Sequence, residues 1–179
     1  MFRQMTAGFA LVLGLSVHAQ DLLQYVDPMI GTARMGHTYP GATAPFGMVQ
    51  LSPDTDTIPY AVDGKYTGDV YKYCAGYQYE DKTIVGFSHT HFSGTGHSDL
   101  GDFLIMPTTG TLQLNPGTAD HPENGYRSIF SHENEMAEAG YYKVKLDDHG
   151  VIAELTATTR VGVHQYTFPE VAEAHIILD

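Results

Sequence analysis

Between Tyr141 and Thr158 the chain spells out a hairpin. Tyr142, Val144 and Leu146 fall on one side of an extended strand, and Lys143 and Lys145 fall on the other. After Asp148-His149-Gly150, Val151, Ala153, Leu155 and Ala157 alternate with Ile152, Glu154, Thr156 and Thr158. Such alternation belongs to antiparallel sheet packed on a core from one side, and the Asp-His-Gly trio supplies the turn. Shorter runs repeat the signal: Thr83–His89, Asp102–Met106, Thr111–Leu114, Tyr126–Phe130, Arg160–Phe168 and Ala174–Leu178. Together they predict an all-β fold, an antiparallel β-sandwich with few or no helices. Nothing sustains a helical period. Ser131–Ala139, ended by Gly140, comes nearest, but it is acidic with almost no apolar face and reads as a loop or one exposed turn.

Composition narrows the function classes. The 179 residues carry 21 Asp and Glu against 9 Lys and Arg, a net charge of -12. That excludes nucleic acid and anionic membrane as main partners, since both need basic surface. With 42% hydrophobic and 17% charged residues, the chain has the means to bury a core. A lone cysteine, Cys74, forms no internal disulfide and no cysteine zinc knuckle. At the front, Arg3, the apolar run Ala7–Val17 and the small Ala19 have the layout of a secretory signal peptide over residues 1–19. The run is too short to span a bilayer. Residues 20–179 are then an exported protein, periplasmic or secreted, with no membrane span after cleavage. The chain stops at Asp179, one residue past an apolar strand, so the domain is expected to be incomplete at that end and to belong to something longer.

Three stretches are rich in Gly, His and short polar residues. They are Asp27–Thr32 with Gly36–Gly41 and Ala44–Met48; Leu51–Thr55; and Gly86–Asp102. Core packing does not explain them, and loops carried on a rigid sheet are where binding residues sit. In the third, His89 and His91 stand two apart and on a strand would share a face, with His97, Asp99 and Asp102 close behind. One reading is a metal site of imidazole and carboxylate ligands. A cupin version fails, because Gly94 and Thr95 stand where it needs a glutamate. A second reading is sugar binding, for which short donors and acceptors suit a hydroxyl-rich ligand. A third is a turn-rich loop whose histidines satisfy backbone groups. No carboxylate pair is marked as catalytic: Glu133, Glu135 and Glu138 read as solvated, and Asp99 and Asp102 could turn inward. No nucleophile elbow, Walker loop or dinucleotide fingerprint is present.

The motifs Tyr25–Thr32, Gly36–Gly41, Ala44–Val49, Ser52–Thr55, Gly86–His91, Ser93–Gly96, Asp99–Asp102, Phe130–Glu135, Gly140–Tyr142 and Ala153–Ala157, in that order, resemble the N-terminal domain of glycoside hydrolase family 92, the exo-acting α-mannosidases. The resemblance implies a galactose-mutarotase-like super-sandwich followed by a larger (α/α)6 barrel, here missing. It implies a calcium-dependent inverting enzyme that removes terminal α-mannose from N-glycans or mannan, with the acid, the base and most calcium ligands in the barrel. This chain alone would then be inactive, with no catalytic residue of its own and no metal ligand assigned. Its partners would be a mannose-containing glycan and that barrel. By match to the family's loops, Gly31, Thr32, His37, His89, His91, Ser93, Thr95, His97, Asp99 and Asp102 line or brace the sugar pocket. His97 stands where members specific for one linkage often carry Cys. The chain has no Trp, so Tyr71, Tyr73 or Tyr77 would serve as the aromatic platform. Two other readings remain: a free-standing carbohydrate-binding sandwich, and a small metalloprotein built on His89, His91 and His97. The first reading also expects an unusually large exposed apolar patch, where a barrel would dock.

Overall fold

The computed structural model describes residues 22–56, 58, 61–94 and 101–179. In chain order the strands are β1 (Ala42–Thr43), β2 (Gln50–Asp54), β3 (Ala61–Val62), β4 (Lys65–Tyr66), β5 (Thr83–Ile84), β6 (Gly86–Ser88), β7 (Ile105–Thr109), β8 (Ser128–Ile129), β9 (Glu135–Glu138), β10 (Tyr141–Leu146), β11 (Val151–Ala157), β12 (Gly162–Thr167) and β13 (Ala174–Leu178). Loops and turns join them, the helical segments are short 3-10 turns, and the described residues contain no α-helix. One sheet runs β1-β2-β6-β7-β13 and a second β12-β11-β10-β9, every pairing antiparallel. β1 and β2 of the first lie over β10 and β11 of the second, which makes the molecule a β-sandwich.

The long hairpin forms the wall of the core. Its register sets Tyr142 opposite Leu155, Val144 opposite Ala153 and Leu146 opposite Val151, and all six are buried. Leu51, Phe87 and Met106 meet them from the facing sheet. Apolar area of this kind, removed from water on both inner faces, is the main stabilising term. The hairpin turn ends on Gly150 in the left-handed region, φ +64. Gly150→Ala is expected to cost about 1 kcal/mol and Gly150→Asn about half of that, since Asn tolerates this conformation better. Urea unfolding of the two variants measures this. Equal losses would show that φ is not what the glycine supplies.

Four differences from the sequence reading have physical causes. β7 starts at Ile105 because Phe103, at φ +55, still turns the chain after Asp102. Thr111–Leu114 is not a strand: Gly110, at φ +77, takes the chain off the sheet and leaves Leu112 and Leu114 exposed. Ser131–Ala139 is not a loop, because after one 3-10 turn Glu135–Glu138 pairs with β10 as β9. Ala139-Gly140 is the tight turn between those strands. Leu51–Asp54 is buried strand within β2, hidden by Pro53, a residue that seldom sits inside a sheet.

Candidate functional site

Gly31–Gly41 and the segment after β6 come together at one end of the sandwich. The Gly94 N–H donates to the His37 carbonyl at 2.7 Å, and the Tyr39 and His91 rings lie 5.3 Å apart. His91 is the anchor. Its Nδ1 lies 2.7 Å from the Gln50 carbonyl oxygen, and its Nε2 lies 3.0 Å from Asp54 Oδ1 and 3.1 Å from Ser88 Oγ. His91 and Asp54 are both buried. Burial works against charge on the ring. The Asp54 carboxylate, the hydrogen bond they share and the Gln50 carbonyl outweigh it and raise the His91 pKa above the ordinary imidazole value. Both ring nitrogens thus face acceptors, and His91 braces the loop against β2 with no polar atom left for a ligand. A cavity of about 120 Å3 opens beside the pair, lined among others by Asp54, Asp56, Tyr73 and Thr90. Asp54 Oδ2 is buried there without a protein hydrogen bond among the described residues.

Thr32 is also a brace: it is buried, and its hydroxyl donates to the Met29 carbonyl at 2.8 Å. The Gly31 carbonyl accepts from the Thr38 N–H. His37 is buried with Nε2 unpartnered among the described residues, and its ring meets the edge of Tyr71 at 4.5 Å. Ser93 is exposed and borders an open pocket with Thr38, Tyr39 and Gly41. Of the three platform candidates, Tyr71 is partly exposed and Tyr73 lines the small cavity. Tyr77 is fully buried in the core and is no platform. Thr95, His97 and Asp99 lie outside the described residues.

His89 does not share a face with His91. β6 ends at Ser88, so the strand alternation stops before it. The His89 ring turns across the sandwich to His164 of β12, with Nε2 to Nε2 3.1 Å. Asp102 is exposed and accepts from the Thr90 hydroxyl at 3.2 Å. A groove of about 700 Å3 beside His89 is lined by Met48, Phe103, Ile105 and Leu178 with Arg160. Met48, Phe103 and Leu178 are each more than two-thirds exposed, part of a wide distribution of uncovered apolar side chains.

Sequence reasoning missed Asp54, Gln50, His164 and Glu135. Asp54 sat inside a quoted motif, but the strand that aims it was not recognised. Glu135, read as solvated, has a buried side chain that accepts from the hydroxyls of Tyr77 at 2.9 Å and Tyr142 at 2.6 Å, with His132 Nδ1 at 2.5 Å. No three His, Cys, Asp or Glu side chains converge among the described residues. Among them, no helix is long and apolar enough to cross a membrane.

The architecture recurs in solved enzymes. The family GH92 α-mannosidase BT3965 from Bacteroides thetaiotaomicron, solved alone and with mannoimidazole, matches with a TM-score of 0.81 and 46% identity. The match covers 89% of this chain and 20% of that one. The family GH92 inverting mannosidase BT2199 from the same organism matches with a TM-score of 0.62 and 26% identity, over 90% of this chain and 20% of that one. A protein described as an uncharacterized secreted glycosidase from Arthroderma benhamiae is 30% identical over 167 residues, 92% of this chain and 20% of its own length. The fold is therefore that of a glycoside hydrolase sandwich domain. The family model for the glycosyl hydrolase family 92 N-terminal domain matches residues 25–179, and the chain belongs to that family. It spans about a fifth of the length of these relatives.

Proposed function

We propose that this chain is the sugar-pocket-contributing N-terminal part of an exported, calcium-dependent, inverting α-mannosidase that removes terminal α-mannose from N-glycans or mannan. The observation that carries this reading is 46% identity, over 89% of the chain, to an α-mannosidase. The fold supports a positioning role. His91, Thr32 and the Gly31 carbonyl are used up in bracing the loops, while Ser93 and Asp102 stay open to solvent. Inversion needs an acid and a base about 6.5–9.5 Å apart with a water between. We assign neither to this chain, and we place them and the calcium cage in a barrel domain that follows. The layout of residues 1–19 supports export.

The test is an assay of terminal α-mannosides with this chain alone and with the complete protein that carries it, the product anomer followed by NMR. The complete protein is expected to release β-mannose first, and the chain alone nothing. Hydrolysis by the chain alone would overturn the division of labour. Absence of α-mannoside cleavage by the complete protein would leave the free-standing sugar-binding sandwich as the reading.

A further inference from the structure

We propose that His89 and His164 form a two-imidazole site for a divalent transition metal, zinc or copper in kind, which staples the two sheets together. The site is separate from the calcium chemistry proposed above, because imidazole suits borderline transition metals and calcium wants oxygen.

Three observations converge on it. The first is the bite. Two imidazole nitrogens bound to one zinc at about 2.05 Å stand about 2.9–3.4 Å apart, depending on the angle at the metal. His89 Nε2 and His164 Nε2 are 3.1 Å apart. The second is ring direction. Nitrogens at that spacing aimed at a shared metal put the ring centroids about 4.8 Å apart, whereas a straight N–H···N bond would put them about 5.4 Å apart. The centroids are 4.9 Å apart. The contact is therefore bent rather than straight, and a shared metal fits the separation. The third is the outer support. Metal-binding histidines hold their other nitrogen on an oxygen. His89 Nδ1 lies 2.9 Å from the Phe103 carbonyl oxygen and His164 Nδ1 lies 2.7 Å from the Tyr166 hydroxyl.

The surroundings suit occupation. Gly162 packs closely on the His89 ring: a Cβ there would stand 2.8 Å from His89 Cδ2, so the absence of a side chain is what lets the ring reach His164. His89 borders the open groove, from which water can complete the coordination. The proton count balances. Without metal, Tyr166 O–H donates to His164 Nδ1 and His164 Nε2–H donates to His89 Nε2. With metal, the His164 proton moves to Nδ1 and Tyr166 becomes its acceptor, so no net proton is released.

The test is calorimetric titration of the purified chain with Zn2+, beside electron paramagnetic resonance of the Cu2+ form. One equivalent of Zn2+ is expected to bind and to raise the Tm. His164→Ala and His89→Ala are each expected to abolish this, Tyr166→Phe to weaken it about 10-fold, and His175→Ala to leave it unchanged. The Cu2+ spectrum of the wild-type chain, which does not depend on any variant folding, is expected to show two coupled imidazole nitrogens. Absence of stoichiometric binding, binding that survives in His164→Ala, or a Cu2+ spectrum with one nitrogen or none would each overturn the proposal.

Discussion

Asp54→Ala is expected to destabilise the domain by about 3–5 kcal/mol, because it leaves the His91 imidazolium buried without its counter-charge. Without Asp54 the ring sheds that charge only by giving up its proton, and the shared hydrogen bond is lost either way. The ring is sealed between β2 and the segment after β6, with Nδ1 on the Gln50 carbonyl and Nε2 on Asp54. His91→Ala removes the opposite partner and is expected to cost a similar amount. The double variant should lose less than the two single losses summed, which a double-mutant cycle reads directly. The pH dependence has a definite sign. The His91 pKa is raised in the folded state, so the pair's contribution is complete below the ordinary imidazole value of 6.5 and falls away as pH rises through the folded-state value. Urea midpoints of the wild type should therefore drop above pH 6.5, and those of Asp54→Asn should drop much less. A wild-type profile that is flat, or that rises, across this range would contradict a charged His91.

How much of this was legible in sequence differs by element. The β10–β11 hairpin is where the alternation placed it, because burial sets one face of each strand, and β13 is where its short apolar run placed it. β2 and β9 were illegible for opposite reasons. β2 carries a proline inside the sheet, and β9 is acidic with little intrinsic strand preference, held in place by its register with β10. The same gap hid the site. The loop motifs could be listed from sequence, but which of their side chains are spent on bracing depends on contacts across more than thirty residues, such as His91 with Asp54 and His89 with His164. The His89–His91 spacing misled, because strand periodicity holds only while the strand lasts, and β6 ends at Ser88.

Glu135 is the carboxylate for which a catalytic role would be easiest to imagine and for which the structure shows a mechanical one. Its side chain is 2% exposed and accepts from two tyrosine hydroxyls and the His132 ring, while His132 Nε2 faces the Tyr79 carbonyl and the ring stacks on Tyr79 at 4.0 Å. Burial, with the carboxylate beside them, raises both phenol pKa values, so both hydroxyls keep their protons as donors. Glu135→Ala strands these donors in a closed space, and each unsatisfied buried group costs about 1–3 kcal/mol, so a total of about 3–5 kcal/mol is expected. Glu135→Gln should cost only about 1–2 kcal/mol. Its carbonyl oxygen can take both hydroxyls, and its amide can donate to His132 once that ring carries its proton on Nε2 alone. Raised phenol values also mean that stability falls once pH passes about 10, where unfolded tyrosines ionise, and that the fall is shallower in Tyr142→Phe. Urea unfolding of the chain decides the stability, and assays of the α-mannosidase activity proposed for the complete protein decide whether Glu135 has a chemical role. A Glu135→Gln enzyme that folds with near-native midpoint and keeps its kcat confirms a structural carboxylate. One that folds equally well but loses activity by orders of magnitude would make Glu135 part of the chemistry.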